Sequence, residues 1–119
     1  MAGPRAEVAI TARARADRRT KDLVKRLEAG EIAVINHSDV DLVAADALVE
    51  SGVVAVVNAA RSFTGRYPNL GPLQIVRGGV ALLDDVGVGI LERIDEGAVV
   101  TIDGDKVIID GEVVATGHR

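Results

Sequence analysis

Apolar positions along this chain follow two rhythms, and together they predict an alternation of strands and helices. Residues 31–35 read EIAVI, residues 53–58 VVAVVN and residues 80–84 VALLD. Runs of this kind, β-branched and without polar alternation, are strands buried on both faces. Residues 7–11 (EVAIT) predict a further short strand. Helical spacing lies between these runs. Residues 17–30 predict a helix with Asp17 as N-cap, Leu23, Val24 and Leu27 as its apolar stripe, and Gly30 at its stop. Residues 38–52 give the clearest helix. Ser38 and Asp41 form an acidic variant of the capping box, Leu42, Ala45, Leu48 and Val49 face the core, and Gly52 ends it. Residues 70–79 predict a helix capped by Asn69, with Pro72 tolerated in the first turn. A short helix follows over 88–97.

From residue 98 the rhythm changes to strand, turn, strand, turn, strand. Asp103-Gly104 and Asp110-Gly111 are the hairpin signals. The expected fold is therefore one α/β domain over residues 1–119. It has a mostly parallel central sheet flanked by helices and a C-terminal antiparallel hairpin or meander. Residues 1–11 form a partly flexible arm.

Composition narrows the chemistry. The chain has 119 residues, enough for one core. Aromatics make up 2%, so Val, Ile, Leu and Ala must fill that core. There is no cysteine, which excludes disulfides, thiolate catalysis and thiolate metal sites. No apolar run approaches the roughly 18 residues of a membrane helix, and a cytoplasmic location is expected. The net charge of −4 is unevenly spread. Residues 1–27 hold eight Lys or Arg against three Asp or Glu, and the remaining residues hold six against fifteen. A basic segment of this sort could meet nucleic acid. No aromatics interleave with it for base stacking, so a solvated helix face is the expectation.

The chemistry-bearing residues gather in NAARSFTGRYPNLGP, residues 58–72, which holds the only Phe and the only Tyr. Ligands of open parallel sheets bind beyond the carboxyl ends of the strands. Here those ends deliver Asn36 and His37, then Asn58 with its loop, then Asp84 and Asp85. The loop suits an anion. Asn69, Leu70 and Gly71 offer N–H groups at a helix start, Gly65 and Gly71 allow close backbone approach, and Arg61 and Arg66 can grip phosphate or carboxylate. Ser62 and Thr64 add hydroxyls, and Tyr67 supplies a wall. The other reading is a packed loop, with Phe63 and Tyr67 plugging the sheet edge and Arg66 paired with Asp84 or Asp85. Neither a P-loop nor a GxGxxG pattern is present.

Catalysis has no complete constellation. His37 lacks a partner nucleophile, and Ser62 lacks a nucleophile elbow and a His–acid pair. Asp39 and Asp41 beside His37 are explained by a helix N-terminus more simply than by a metal. No catalytic residue, metal ligand or cofactor is expected.

DRRTKDLVKRLEAGEIAVINHSDVDLVAADALV, VVNAARSFTGRYPNLGP and LLDDVG resemble the N-terminal region of an actinobacterial family of cytokinetic-ring proteins (SteA type), described as thiamine-pyrophosphokinase-like. The resemblance runs from about residue 12 to 117, and Gly65 to Pro72 is its most specific stretch. Many members carry Asp where this chain has Asn36. The resemblance implies a cell-division role beside a membrane partner. It also implies a larger kinase-like part downstream, to which any nucleotide or thiamine chemistry would belong. In layout the chain is similar to the swivelling β/β/α domains of phosphoenolpyruvate-utilising enzymes, whose corresponding loop carries a phosphorylated His. Residues 58–72 contain no His, so that relay is excluded.

The expected function is a non-catalytic binding or regulatory module. It would use Asn58, Arg61, Ser62, Gly65, Arg66, Tyr67, Asn69, Gly71, Asp84 and His37 to recognise a phosphorylated small molecule or a cell-division protein partner. The alternatives are part of a thiamine-pyrophosphokinase-like enzyme and a structural homodimerisation domain.

Overall fold

The computed structural model describes residues 9–65 and 70–118. The elements follow one another as β1 (Ile10–Ala16), α1 (Thr20–Leu23), β2 (Ile32–Ile35), α2 (Leu42–Glu50), β3 (Ala55–Asn58), α3 (Gly71–Arg77), β4 (Ala81–Leu83), a 3₁₀ turn (Val88–Glu92), β5 (Ala98–Asp103), β6 (Lys106–Ile109) and β7 (Glu112–Thr116). All seven strands form one sheet in the order β4-β3-β2-β1-β5-β6-β7.

The sheet is mixed. The pairs β1–β2, β2–β3 and β3–β4 are parallel, while β1–β5, β5–β6 and β6–β7 are antiparallel. The expectation of a mostly parallel sheet is thus corrected to an even division. The meander is not an appendage, because β5 pairs along β1 from Ile10 to Ala14 and continues the sheet. The sheet also curls until its edges meet. Asp84, just past β4, and His118, just past β7, exchange both backbone hydrogen bonds, at 2.6 and 2.8 Å.

Alternation along the strands divides the core in two. Ile32, Val34, Ala55, Val57 and Leu83 point into the concave side, where Val100, Ile102, Val107, Ile90 of the 3₁₀ turn and Ile94 just after it meet them. Ala33, Ile35 and Val56 point to the opposite side, against Leu23 of α1, Ala45 and Leu48 of α2 and Ile75 of α3. The three helices therefore cover one face, and the curl of the sheet closes the other. This is why β2 and β3 are apolar at consecutive positions. Truncating a fully buried residue such as Leu48 to Ala would cost about 2–5 kcal/mol.

Several boundaries differ from the sequence expectation. β1 runs to Ala16 instead of ending at Thr11, with Arg13 and Arg15 alternating with Ala12 and Ala14. The first helix is a single turn capped at Arg19, not a helix over 17–30, and Asp17 instead accepts from the Arg19 N–H at 2.9 Å. α2 is capped by Asp41 itself, whose side chain accepts from the Ala44 N–H at 2.8 Å. The helix expected over 88–97 is a 3₁₀ turn. Both hairpins have two-residue turns. Asp110 (φ 52°) and Gly111 (φ 79°) sit between the paired Ile109 and Glu112, the type I′ pattern. The other turn is Gly104-Asp105, one residue later than the Asp103-Gly104 signal.

An ionic network ties the basic segment down. Arg15 Nε meets Glu31 Oε1 at 2.7 Å, and Arg15 Nη1 meets Glu96 Oε2 at 2.9 Å. Arg26 bonds Glu96 at 3.0 Å and Asp17 at 2.8 Å. Hydrogen bonding to Arg15 holds the Glu31 carboxyl below the usual range against the opposing effect of burial. Arg26 does the same for Glu96. Asp17 is lowered chiefly by the Arg19 N–H and then by Arg26. Two of the basic residues, the part-buried Arg15 and the exposed Arg26, are therefore engaged in ion pairs within the fold, while Arg18 and Arg19 are exposed.

Candidate functional site

The ends of β2, β3 and β4 lie side by side, because these strands are parallel neighbours. Their register brings His37, Asn58 and Asp84 to one edge of the sheet, as the sequence led us to expect. Asn58 sits at the centre, with no exposed surface. Its Oδ1 accepts from the His37 N–H at 3.1 Å and the Ala60 N–H at 3.0 Å. Its Nδ2 donates to the His37 carbonyl at 2.9 Å and to Ser62 Oγ at 2.7 Å. All four hydrogen-bonding capacities of the amide are engaged.

Ser62 passes the tether on. Its hydroxyl donates to Asp84 Oδ1 at 2.6 Å, and its N–H lies 2.9 and 3.0 Å from the two Asp84 oxygens. Ser62 is only 1% exposed. Its hydroxyl therefore faces Asn58 and Asp84, and it positions the loop from within.

A second clamp holds the outer side. The Asp39 carboxylate accepts from the Thr64 N–H at 2.9 Å and from the Thr64 hydroxyl at 2.8 and 2.9 Å. Backbone bonds complete it, from Asp39 N–H to the Arg61 carbonyl and from Val40 N–H to the Ser62 carbonyl. Asp39 has φ 53°, a left-handed conformation that Asp tolerates better than most residues. On the inner side, the N–H groups of Asp85, Val86 and Gly87 bond the carbonyls of Ala60, Asn58 and Ala59.

The remaining expected residues fall as follows. Arg61 is exposed, and Gly65 is exposed with φ 85°, as its turn role requires. Gly71 is buried where α3 crosses the chain before α2, and a Cβ there would overlap the Val40 carbonyl. Arg66, Tyr67 and Asn69 lie outside the described residues, and with them the proposed Arg66 pairing; α3 starts at Gly71 with Leu70 in the N-cap position, so the expected cap by Asn69 is corrected.

His37 divides from this group. Its backbone joins the Asn58 network, but its ring turns to the helix-covered side, where Nδ1 lies 3.0 Å from Thr20 Oγ1. Asp84, Ser62 and Phe63 line a different cleft of about 220 Å³, with Pro72, Val76, Leu82 and His118. Sequence reasoning missed the surface this frame presents. Phe63 is 53% exposed, and Leu70, Leu73 and Val76 are exposed beside the same loop and helix. Val76 lies three residues after Leu73 on α3, a spacing that gave the signal for a shared face.

Among the described residues no group of three His, Cys, Asp or Glu is placed to hold a metal. No described helix is long and apolar enough to cross a membrane. No family model matches the chain, and no curated protein matches it.

Proposed function

We propose that this domain is a non-catalytic recognition module that engages a protein partner through the 58–72 loop. One observation carries the reading. Residues 58–64 are pinned from both sides by Asn58, Ser62, Asp84 and Asp39, yet the Phe63 side chain among them stands exposed. An aromatic held out by a rigid loop contributes contact area with little further loss of conformational freedom, the usual character of an interface anchor. Leu73 and Val76 on α3 extend the apolar surface, and Arg61 supplies a rim cation.

The resemblance to the cytokinetic-ring family gives this module its context, a cytoplasmic cell-division protein acting with a partner. The alternation of parallel strands and helices followed by the meander is in keeping with a swivelling-type domain. A phosphorylated small molecule is the second reading, favoured by the exposed Arg61 and by the open backbone at Gly65. In that reading Asn58 and Ser62 shape the loop, while Arg61 contacts the anion.

The test is Phe63→Asp in the full-length protein of an actinobacterial host. Delayed cell separation with unchanged protein level and melting temperature is the expected result. Normal division and separation would overturn the assignment.

A further inference from the structure

A cleft of about 430 Å³ opens between α1 and α2. It shares no lining residue with the cleft behind the 58–72 loop. Thr20, Lys21, His37 and Asp41 supply its polar groups, and Val24, Val43, Ala44 and Ala47 its apolar wall. It lies beyond the carboxyl end of β2, where sheets with parallel strands place their ligands.

We propose that this cleft binds a small monocarboxylic acid with a branched apolar body. Its polar groups line one cleft. Thr20 is buried and holds Nδ1 of the His37 ring at 3.0 Å, which leaves the Nε2 edge for a ligand. The Lys21 ammonium makes no ion pair among the described residues. Together they offer a carboxylate one full charge and, in the tautomer where the Thr20 hydroxyl donates to Nδ1, the Nε2–H as a donor.

The opposite wall fits the rest of the molecule. Val43 is 81% exposed although it stands beside Ala44 and Ala47 in the same cleft. Covering these side chains with a branched alkyl group removes apolar surface from water on both partners. Asp41 sets the charge limit. Its carboxylate is fixed at the rim by the Ala44 N–H, so a dianion such as a phosphate monoester meets repulsion that a monoanion meets less strongly. This site is independent of the loop surface and can fail without affecting that reading.

The experiment is an ¹⁵N NMR titration of this chain with 4-methyl-2-oxopentanoate, with butyl phosphate as the second probe, each up to about 10 mM, the range that detects millimolar affinity. The expected result is a saturable shift confined to residues 20–24, 37 and 41–47, weaker with butyl phosphate. Lys21→Met and His37→Gln should each weaken binding by about tenfold. Both are expected to fold, because Lys21 has no ion pair among the described residues and the His37 link to Asn58 is through its backbone. Absence of a saturable shift, a shift centred on residues 59–65, or an affinity unchanged in both variants would each overturn the proposal.

Discussion

The hydroxyl of Ser62 donates to Asp84 Oδ1 at 2.6 Å while accepting from Asn58 Nδ2 at 2.7 Å. This relay joins the ends of β3 and β4 and makes the intervening loop part of the frame. Ser62→Ala removes both bonds and leaves the Asn58 amide short of an acceptor in a buried setting. A loss of about 1–3 kcal/mol is expected in urea unfolding. A variant as stable as the parent would show that the relay is not structural.

Asn58→Ala should be more severe. It leaves the His37 N–H, the His37 carbonyl, the Ala60 N–H and Ser62 without this partner at once. The expected cost is about 2–4 kcal/mol, and the melting temperature should fall by roughly 10 °C. Asn58→Asp should fare no better, because a carboxylate accepts but cannot donate to the His37 carbonyl or to Ser62.

The closure of the sheet depends on Gly117. A Cβ there would stand 2.5 Å from the Asp84 carbonyl oxygen and 2.6 Å from Val86 Cγ1. Gly117→Ala should therefore part the Asp84–His118 seam. Amide exchange at Asp84 and His118 would quicken, while exchange in β2 and β3 stays slow. Uniform exchange behaviour in parent and variant would contradict the tight seam.

Acid should weaken the fold through the Arg15–Arg26 network. The carboxyls of Glu31, Glu96 and Asp17 are held below their usual range in the folded protein. The unfolded chain then binds more protons in the acidic window, so stability rises with pH there. It is fully present above the ordinary carboxylate range of about 4 and is lost as the pH falls through the lowered folded values. Glu31→Gln should flatten this dependence between neutral pH and acid. An identical pH profile in both proteins would remove the network from the account.

The readable parts of the fold were those whose cause is local. β2 and β3 are buried on both faces, so their apolar runs announce them. Gly52 and Gly65 marked turns, and both have positive φ. The hidden parts depend on distant partners. β1 was cut short because Arg15 looks solvated until Glu31 and Glu96 come to meet it, 16 and 81 positions away. Ser62 reads as a free hydroxyl because its acceptor, Asp84, comes 22 positions later. His37 was correctly placed at the strand-end edge, but its ring orientation is set by Thr20 on another element.

The central claim is that Phe63 is the anchor of a partner surface. Placing a photocrosslinking amino acid at position 63 of the protein, expressed in its host cells, tests it most directly. The control is the same residue at position 99, an exposed valine on β5. The account predicts one discrete crosslinked protein product from position 63 and none from position 99. No product from position 63, or the same product from both positions, would contradict it.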